Sequence, residues 1–560
     1  MTLDTKVADH KIVQTHGVLK VPQVTAWKLA PVAHLPTLAN MNITKESWFS
    51  KVDQVWTRHL RSAPWTSDVS QDWDDLSQRI FAALLDTVQE VAPQAVANIP
   101  AAMCRRGQPA QPRFIRDNWN ARTPAGDHAT CQEIKLTRHL ARLKEVVRLK
   151  GFDQKVPEAL WAKIHRSPYF DHKQTTRKNI ISAQRKLDEC SQVSQKSNLN
   201  KWKEAMQEDK AAFAWLRRDT QVVSHALKSN EADTAATSVT EALSKIKQFW
   251  RTLWDRELPD STETWSAIEA SLGPPRTAED WPALTGEDLF AAAISLKGRA
   301  AGIDQWSSSD LILLSPNIWN QVASFVNHCE TCGSIPQQWT YIRQLHLDKG
   351  KQSDLVSDLR PISVTSVWWR VVGKARYQHP VTQAWLTQIL PGYVFGGVPG
   401  KGIADAMGPI LAADASHEWI ASLDYAKAFD RVLPELSCRI LTHLGADPKV
   451  MTFLNGCWSN QHRWIQFLQH FDPCCEQVST SLLQGDTWSM LAMTAALIPA
   501  AEDIARQYPR SQTVLYADDR TILSPSPQEL RQVVERWGVW GRTLGCLEHE
   551  AKAQFYHATT

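Results

Sequence analysis

The sequence predicts an α+β fold whose sheet is antiparallel and covered by helices. Residues 513–515 and 521–523 are short apolar runs on either side of a four-residue turn, which is typical of a β-hairpin. Residues 419–423 form a third apolar run of strand character, and residues 488–506 have the apolar spacing of a helix. The order strand, helix, hairpin, helix, strand-turn-strand indicates the α+β class.

Length and composition limit the possible functions. The 560 residues are enough for two or three domains, and the 25 tryptophans, Trp48 and Trp73 among them, are expected mainly in cores. The formal net charge is only +3, so any nucleic-acid binding must depend on local basic patches. The 10 cysteines form no disulfide framework, and the single C-x-x-C of Cys329 and Cys332 lacks the second pair of a zinc site.

The first residues do not resemble a signal peptide. Asp4, Lys6, Asp9 and Lys11 interrupt any apolar segment there, and no run approaches the roughly 18 apolar residues of a membrane span. We therefore expect an intracellular protein without a transmembrane segment, with the nucleus as one candidate compartment.

Composition divides the chain into four predicted regions. These are residues 1–100, without an assigned function; residues 101–255, a basic helical extension; residues 256–284, a linker rich in Gly, Pro and acidic residues; and residues 285–560, where helices and strands alternate. From Arg105 to Lys150 the basic residues recur at helical spacing. They form either a solvated helix face or a surface that contacts RNA.

Three aspartates stand at the ends of predicted strands. Asp518 and Asp519 occupy the hairpin turn, and Asp424 follows the strand at residues 419–423. Carboxylates held on rigid neighbouring strands can bridge two divalent ions about 3.5–4 Å apart, the arrangement that phosphoryl transfer requires. An ordinary turn is the alternative, since Asp is common in turns, but it does not account for Asp424.

Several ordered blocks accompany these aspartates. They are residues 299–304, 339–349, 360–363 (RPIS), 423–432 (LDYAKAFDRV), 484–489 (QGDTWS), 516–519 (YADD) and 547–552. Their order and spacing resemble the reverse transcriptases of non-LTR, LINE-type retrotransposons over roughly residues 284–552. The resemblance implies a right-hand polymerase whose fingers and palm lie at residues 285–560.

The resemblance also implies a reaction. The chain would be an RNA-directed DNA polymerase that copies RNA from a primer, with an RNA template, a primer and deoxynucleoside triphosphates as partners. Its cofactors would be two Mg²⁺ ions, with Mn²⁺ as an alternative. Asp424 and Asp518 would bridge the ions, the carbonyl of Tyr425 would be a further metal ligand, and Asp519 would assist. Lys552 would be the general acid for pyrophosphate.

The resemblance implies substrate-binding roles for five more residues. Lys349 and Arg360 would hold phosphate oxygens, although surface charge remains the alternative for Lys349. Phe429 aligns with the steric gate, where a ring excludes the 2′-hydroxyl of a ribonucleotide; an ordinary core Phe is the alternative. Gln484 and Gly485 would pack against the incoming base and the template strand.

The chain departs from the family pattern in several places. Trp488 stands in a block where the family has smaller residues, which brings the helix start and the fit of the template into question. The sequence ends eight residues after Lys552, so we expect no thumb and weak polymerisation. Two alternatives stay open: a decayed or domesticated protein that binds RNA without polymerising, and an RNA-dependent RNA polymerase, which Phe429 and Ala517 disfavour.

Overall fold

A computed structural model describes residues 24–29, 35–93, 112, 114–119, 131–151, 155–205, 226–349, 353–412 and 419–557. The predicted basic residues Arg105, Arg106, Arg113 and Arg122 lie outside the described residues.

The chain separates into two compact units. The smaller unit comprises Met1–Gln23 and Trp119–Val222, and the larger comprises Val24–Asn118 and Val223–Thr560. These limits differ from the predicted regions. The predicted basic extension is divided between the units, and most of the first hundred residues join the larger one.

The described part of the smaller unit is helical. Its helices are Cys131–Gly151, Glu158–His165 and Thr176–Ala205. They bury a small apolar core formed by Leu140, Leu143, Val146, Ile164 and Ala183. Lys144, Arg148 and Lys150 alternate with these core positions and are exposed. A basic face therefore exists on the first helix, although the carboxylate of Glu145 binds the Arg148 guanidinium in a bidentate pair.

The larger unit combines many helices with two sheets. Its helices are Leu38–Met41, Lys45–Trp56, Val69–Val91, Val239–Trp254, Ser261–Leu272, Gly286–Ser295, Ser308–Leu311, Pro316–Cys332, Val367–Gln378, Pro380–Ile389, Ile403–Leu411, Pro434–His443, Pro448–Trp458, Ser489–Gln507 and Pro527–Thr543. Its strands are β1 Val24–Leu29, β2 Phe114–Trp119, β3 Tyr341–Asp348, β4 Leu359–Val364, β5 Trp419–Leu423, β6 Gln461–Phe467, β7 His470–Phe471, β8 Glu476–Val478, β9 Gln512–Tyr516, β10 Asp519–Ser524 and β11 Gln554–His557.

The two sheets have different pairing. The seven-stranded sheet has the order β2-β1-β7-β6-β3-β4, with β8 also paired to β6, and it is mixed because β3 and β6 run parallel. The four-stranded sheet has the order β11-β5-β10-β9 and is antiparallel throughout. Helices and strands are thus combined as the predicted class requires, and the predicted hairpin is β9–β10.

The predicted linker at residues 256–284 contains a packed helix. Asp260 caps the helix Ser261–Leu272 by accepting hydrogen bonds from the backbone amides of Thr262 and Glu263, 2.8 and 2.9 Å away. Trp265 and Ile268 are buried, one helical turn apart. The linker prediction was wrong here because Gly, Pro and acidic residues surround a short apolar stripe.

The first hundred residues contribute to the core of the larger unit. Trp48 and Trp73 are both 0% exposed, as expected for core tryptophans. The indole Nε1 of Trp48 donates to the carbonyl of Leu313 at 2.8 Å, and that of Trp73 donates to the side chain of Gln338 at 2.8 Å. Each bond joins residues more than 260 positions apart in the chain. The N-terminal helices are therefore part of the larger unit's tertiary structure.

None of the helices in the described residues has both the length and the apolar character needed to cross a bilayer.

Truncating Trp73 should test the role of the N-terminal helices. We expect Trp73→Ala to lower the free energy of unfolding by about 3–5 kcal/mol, because it leaves a cavity among the rings of Phe325, Trp339 and Trp368. Denaturant titration followed by tryptophan fluorescence measures the loss. Leu60→Ala is the control, since Leu60 is 51% exposed and its truncation should change stability by less than about 0.5 kcal/mol. Equal effects of the two substitutions would contradict the packing role.

Candidate active site

A tight turn holds two of the three predicted aspartates. Tyr516 at the end of β9 pairs with Asp519 at the start of β10, so Ala517 and Asp518 alone form the turn. Ala517 has a φ of 57°, a left-handed conformation that is uncommon for a residue with a side chain. Surrounding contacts must therefore hold this backbone in place.

Strand pairing brings the third aspartate to the same end of the sheet. β5 pairs antiparallel with β10, and the last β5 residue, Leu423, lies opposite Arg520. Asp424 follows Leu423, and Asp519 precedes Arg520 on the neighbouring strand. The backbone register alone thus places Asp424 beside the Asp518–Asp519 turn.

The three carboxylates influence one another electrostatically. Burial raises the pKa of Asp518 to about 6, and the nearby negative charges of Asp424 and Asp519 add to this shift. Burial also raises the pKa of Asp519, again with a contribution from Asp424. Like charges that disfavour each other's ionisation are a recurring property of functional carboxylate clusters.

The side chain of Lys552 forms an ion pair with that of Asp424. Its ammonium donates a hydrogen bond to Oδ2 of Asp424, and the Asp424 side chain is only 15% exposed. The backbone carbonyl of Asp424 accepts a bond from the amide of His549 at 2.8 Å. The predicted proton donor is therefore in direct contact with a predicted metal ligand.

The donors at this end of the sheet are carboxylates. Carboxylate oxygens suit Mg²⁺, and a cation would favour the ionised form of Asp518, whose pKa is raised by burial and by the charges of Asp424 and Asp519. In the part of the chain that the structure describes, however, no three His, Cys, Asp or Glu side chains are gathered closely enough to hold a metal ion. The residue types fit the ion, while the Lys552 ammonium occupies one oxygen of Asp424.

Two predicted phosphate ligands lie on the other sheet. β3 and β4 pair so that Leu347 stands opposite Arg360, and both side chains are exposed. Lys349 follows two positions after Leu347 and is also exposed. Alternation along an extended strand puts Leu347 and Arg360 on one face of the sheet. The structure thus places Arg360 on that face and Lys349 just past the end of β3.

Phe429, Gln484 and Gly485 form a second group of predicted residues, joined to β4. The carbonyl of half-buried Phe429 accepts a bond from the amide of Leu482 at 2.8 Å. The carbonyl of Gln484 accepts a bond from the amide of Ser363 on β4 at 2.8 Å. Gly485 has a φ of 109°, and a Cβ there would lie 3.2 Å from the Ser363 carbonyl. A glycine is therefore needed for this backbone approach.

Asp430 connects this group to the surrounding core. It is 1% exposed, and burial raises its pKa. Its carboxylate accepts hydrogen bonds from Gln484 Nε2 at 3.2 Å and Trp254 Nε1 at 3.4 Å, and Arg463 lies 3.9 Å away. Burial lowers the pKa of the Arg463 guanidinium to about 10. Asp430 thus links Gln484 to the helix Val239–Trp254, which sequence reasoning had assigned to a separate extension.

Trp488 is a core residue. It is 0% exposed, its indole Nε1 donates to the carbonyl of Gly373 at 2.8 Å, and its ring packs against Tyr377 and Trp281. The backbone amide of Trp488 donates a hydrogen bond to the carboxylate of Asp486 at 3.0 Å, and the helix Ser489–Gln507 begins at the next residue. The question about the helix start is therefore answered: the large ring of Trp488 fills a space in the core, and the helix begins directly after it.

Lys427 is a basic residue that sequence reasoning missed. It has a φ of 55°, and its ammonium donates to the carbonyls of Ser357 and Leu359 at 2.5 and 3.3 Å. The ammonium also lies 4.7 Å from the ring centre of Trp250. Burial, with a contribution from Lys349, lowers its pKa to about 8. Lys427 ties the segment after Asp424 to the start of β4. The signal was a lysine between two alanines in the block at residues 423–432.

Comparison with known families supports the resemblance for part of the chain. A family model described as reverse transcriptase (RNA-dependent DNA polymerase) matches residues 348–560. This range contains the three aspartates and Lys552, while the predicted block at residues 299–304 precedes it. A search of curated proteins found no match. The C-terminal region is therefore similar to reverse transcriptases, as predicted, while the LINE type stays a prediction.

Gly396 supports the strained turn. A Cβ added to Gly396 would lie 2.1 Å from the backbone nitrogen of Ala517, closer than any side chain can approach. Just before Gly396, the amide of Phe395 donates to the carbonyl of Leu515, and the amide of Leu515 donates to the carbonyl of Tyr393, both at 2.9 Å. The glycine thus allows the segment at residues 393–396 to lie directly under the turn.

We expect Gly396→Ala to displace the Asp518 turn and to lower the free energy of unfolding by about 1–3 kcal/mol, because the backbone must shift to make room for the added Cβ. Denaturant titration measures the loss. Gly392→Ala is the matched control, since a Cβ at Gly392 meets nothing within 4 Å in the same loop. Equal stabilities of the two variants would show that the close approach does not control the turn.

Proposed function

We propose that this chain is an RNA-directed DNA polymerase of a LINE-like retroelement, with its fingers and palm in the larger unit. The observation that carries the proposal is the position of Asp424, Asp518 and Asp519 at one end of neighbouring antiparallel strands, within a region similar to reverse transcriptases. The four-stranded sheet would be the palm, and the β3–β4 pair would belong to the fingers.

The carboxylates would hold two Mg²⁺ ions. Asp424 and Asp518 would be the ligands shared by both ions, the carbonyl of Tyr425 would be a further metal ligand, and Asp519 would assist. The ions would lower the pKa of the primer 3′-hydroxyl and neutralise charge on the triphosphate. Burial, with repulsion from Asp424 and Asp519, raises the pKa of Asp518, and this supports the assignment because bound cations would favour the ionised carboxylate.

Exposed cations on the other sheet would bind the triphosphate. The Arg360 guanidinium would hold phosphate oxygens through two parallel hydrogen bonds, and Lys349 would provide a point charge. Lys427, whose ammonium is bound to the backbone between these residues, would keep the segment after Asp424 in register with β4. Gln484 and Gly485, joined to Ser363 on β4, would line the position of the incoming base.

Lys552 is the proposed proton donor to pyrophosphate. Its contact with Asp424 shows that it can reach the carboxylate group, and its side chain is 52% exposed. Cation binding at Asp424 would release the ammonium toward the leaving group. The exposed basic residues on the helix Cys131–Gly151 would add RNA contacts of their own.

A second candidate function is RNA binding without polymerisation. The lysine bound to Asp424 favours it, together with the lack, among the described residues, of a closed three-ligand group. The two candidates predict opposite results in a polymerisation assay.

Primer extension tests the proposed function. The purified full chain should extend a DNA primer on an RNA template with Mg²⁺ and the four deoxynucleoside triphosphates. Asp518→Asn should reduce the rate by at least about 100-fold, because charge neutralisation at the metal site contributes several kcal/mol. Asp74→Asn is the matched control: burial also raises the pKa of Asp74 to about 6, but it lies on the helix Val69–Val91, outside the carboxylate group.

The absence of extension by a folded chain that still binds primed RNA would reject polymerisation and leave the RNA-binding alternative. Extension that Asp518→Asn does not affect would reject the assignment of the carboxylates.

Phe429 should discriminate between sugars. We expect Phe429→Val to improve ribonucleotide incorporation relative to deoxynucleotide incorporation by about tenfold or more, since the smaller side chain removes the clash with the 2′-hydroxyl. Single-nucleotide insertion with matched dNTP and rNTP pairs measures the ratio. If Phe429 is only a core residue, the substitution will lower stability and leave the ratio unchanged.

A further inference from the structure

Arg520 is a fully buried cation beside the carboxylate group. It follows Asp519 in β10, and its side chain is 0% exposed. β10 lies between β5 and β9, where Arg520 pairs with Leu423 and Leu515. Side chains alternate along a strand, so Arg520 projects to the face opposite Asp519. A charge in this position needs specific partners to be stable.

Glu548 is the ionic partner of Arg520. Nη1 and Nη2 of Arg520 each donate to a different carboxylate oxygen of Glu548, both at 2.8 Å. This bidentate geometry fixes the direction of the guanidinium as well as its charge. The Arg520 charge is therefore neutralised locally, and its plane is held by two bonds.

The guanidinium packs on the ring of Tyr425. Its central carbon lies 3.4 Å from the ring centre, within the range of cation–π attraction. The helix Pro527–Thr543 covers the ring from another side, where a Cβ on Gly541 would lie 3.1 Å from Cε1 of Tyr425. Tyr425 is 1% exposed. Arg520 and the helix at Gly541 thus leave the ring of Tyr425 little freedom to move.

Backbone hydrogen bonds connect Glu548 to the same turn. Tyr425 and Glu548 form an antiparallel bridge. On either side of this bridge, the amide of Ala426 donates to the carbonyl of Leu547, and the amide of His549 donates to that of Asp424, both at 2.8 Å. The residue that pairs with Arg520 is therefore also attached to the segment that carries Asp424.

We infer that Arg520 is a positioning residue of the carboxylate site. Its stack on Tyr425 and its bidentate pair with Glu548 hold the Asp424–Tyr425 segment against the strand of Asp519, so that Asp424 stays beside the Asp518–Asp519 turn. The inference rests on the proposed function, since it concerns the same carboxylates. Residues that orient metal ligands typically change metal affinity 10- to 100-fold when they are replaced.

Charge alone would have the opposite effect. A positive charge near a cation site weakens cation binding, so removal of a guanidinium that acted only electrostatically would tighten it. The positioning role predicts weaker binding, because the carboxylates would lose their fixed separation. The sign of the change therefore separates the two roles.

The test is Mn²⁺ binding to the full chain, followed by electron paramagnetic resonance without nucleotide or primer. We expect Arg520→Met to weaken Mn²⁺ binding by about tenfold. Arg520→Lys keeps the charge but loses the bidentate geometry, so it should weaken binding to a similar extent. Arg520→Lys is also the gentler substitution, and it decides the question if the Met variant fails to fold.

A second buried Arg–Glu pair provides the matched control. Arg376 is 3% exposed and holds both carboxylate oxygens of Glu330 through Nε and Nη2, in the helix Val367–Gln378. Arg376→Met and Arg376→Lys should destabilise the fold comparably and leave Mn²⁺ affinity unchanged. Thermal unfolding confirms that each compared protein is folded.

Unchanged or tighter Mn²⁺ binding in the folded Arg520→Lys variant would overturn the positioning role, as would an equal loss in Arg376→Lys. Wild-type chain that binds Mn²⁺ but does not extend primers would reject the proposed function, and the Arg520 comparison would still be decided by binding alone. If the wild-type chain shows no Mn²⁺ binding, or only binding that Asp518→Asn leaves intact, both the positioning role of Arg520 and the proposed function are overturned.

Discussion

The closeness of three carboxylates is the constraint on which the site depends. Burial and the charge of Asp424 raise the pKa values of both Asp518 and Asp519, and the chain must hold the group together against that cost. The pairing of β5 with β10 does so by backbone hydrogen bonds, which do not depend on side-chain charge. The Lys552 ammonium offsets part of the negative charge at Asp424. The site therefore combines a rigid backbone with an electrostatic arrangement that favours a cation.

Contacts of three further residues stabilise the end of the sheet where the aspartates lie. Gly396 allows a loop to lie under the strained turn, Lys427 binds the start of β4, and Asp430 connects Gln484 with the helix Val239–Trp254. Each contact joins segments that are distant in sequence. The geometry of the candidate site thus depends on contacts from many parts of the larger unit.

Strand and hairpin patterns were sufficient to predict the sheet end at which the aspartates lie, because alternation and turn chemistry are local. The helix Ser261–Leu272 was missed because it has few buried apolar residues, such as Trp265 and Ile268, and because turn-forming residues surround it. The core position of Trp488 was missed because its partners, Gly373 and Tyr377, are more than a hundred positions away. Arg520 was missed because a charged residue after two aspartates looks exposed, and only the tertiary contact with Glu548 explains its burial.

The limits of sequence similarity do not coincide with the limits of folding. The reverse transcriptase model begins at residue 348, the last residue of β3, so the similar region lacks the strand that lies between β4 and β6. It also lacks Trp254, which bonds Asp430, and Trp48 and Trp73 in the core. Trp48, Trp73 and Trp254 thus support the similar region from outside its limits. The larger unit should therefore tolerate few substitutions at these positions, and the folded unit begins far ahead of the point where the similarity begins.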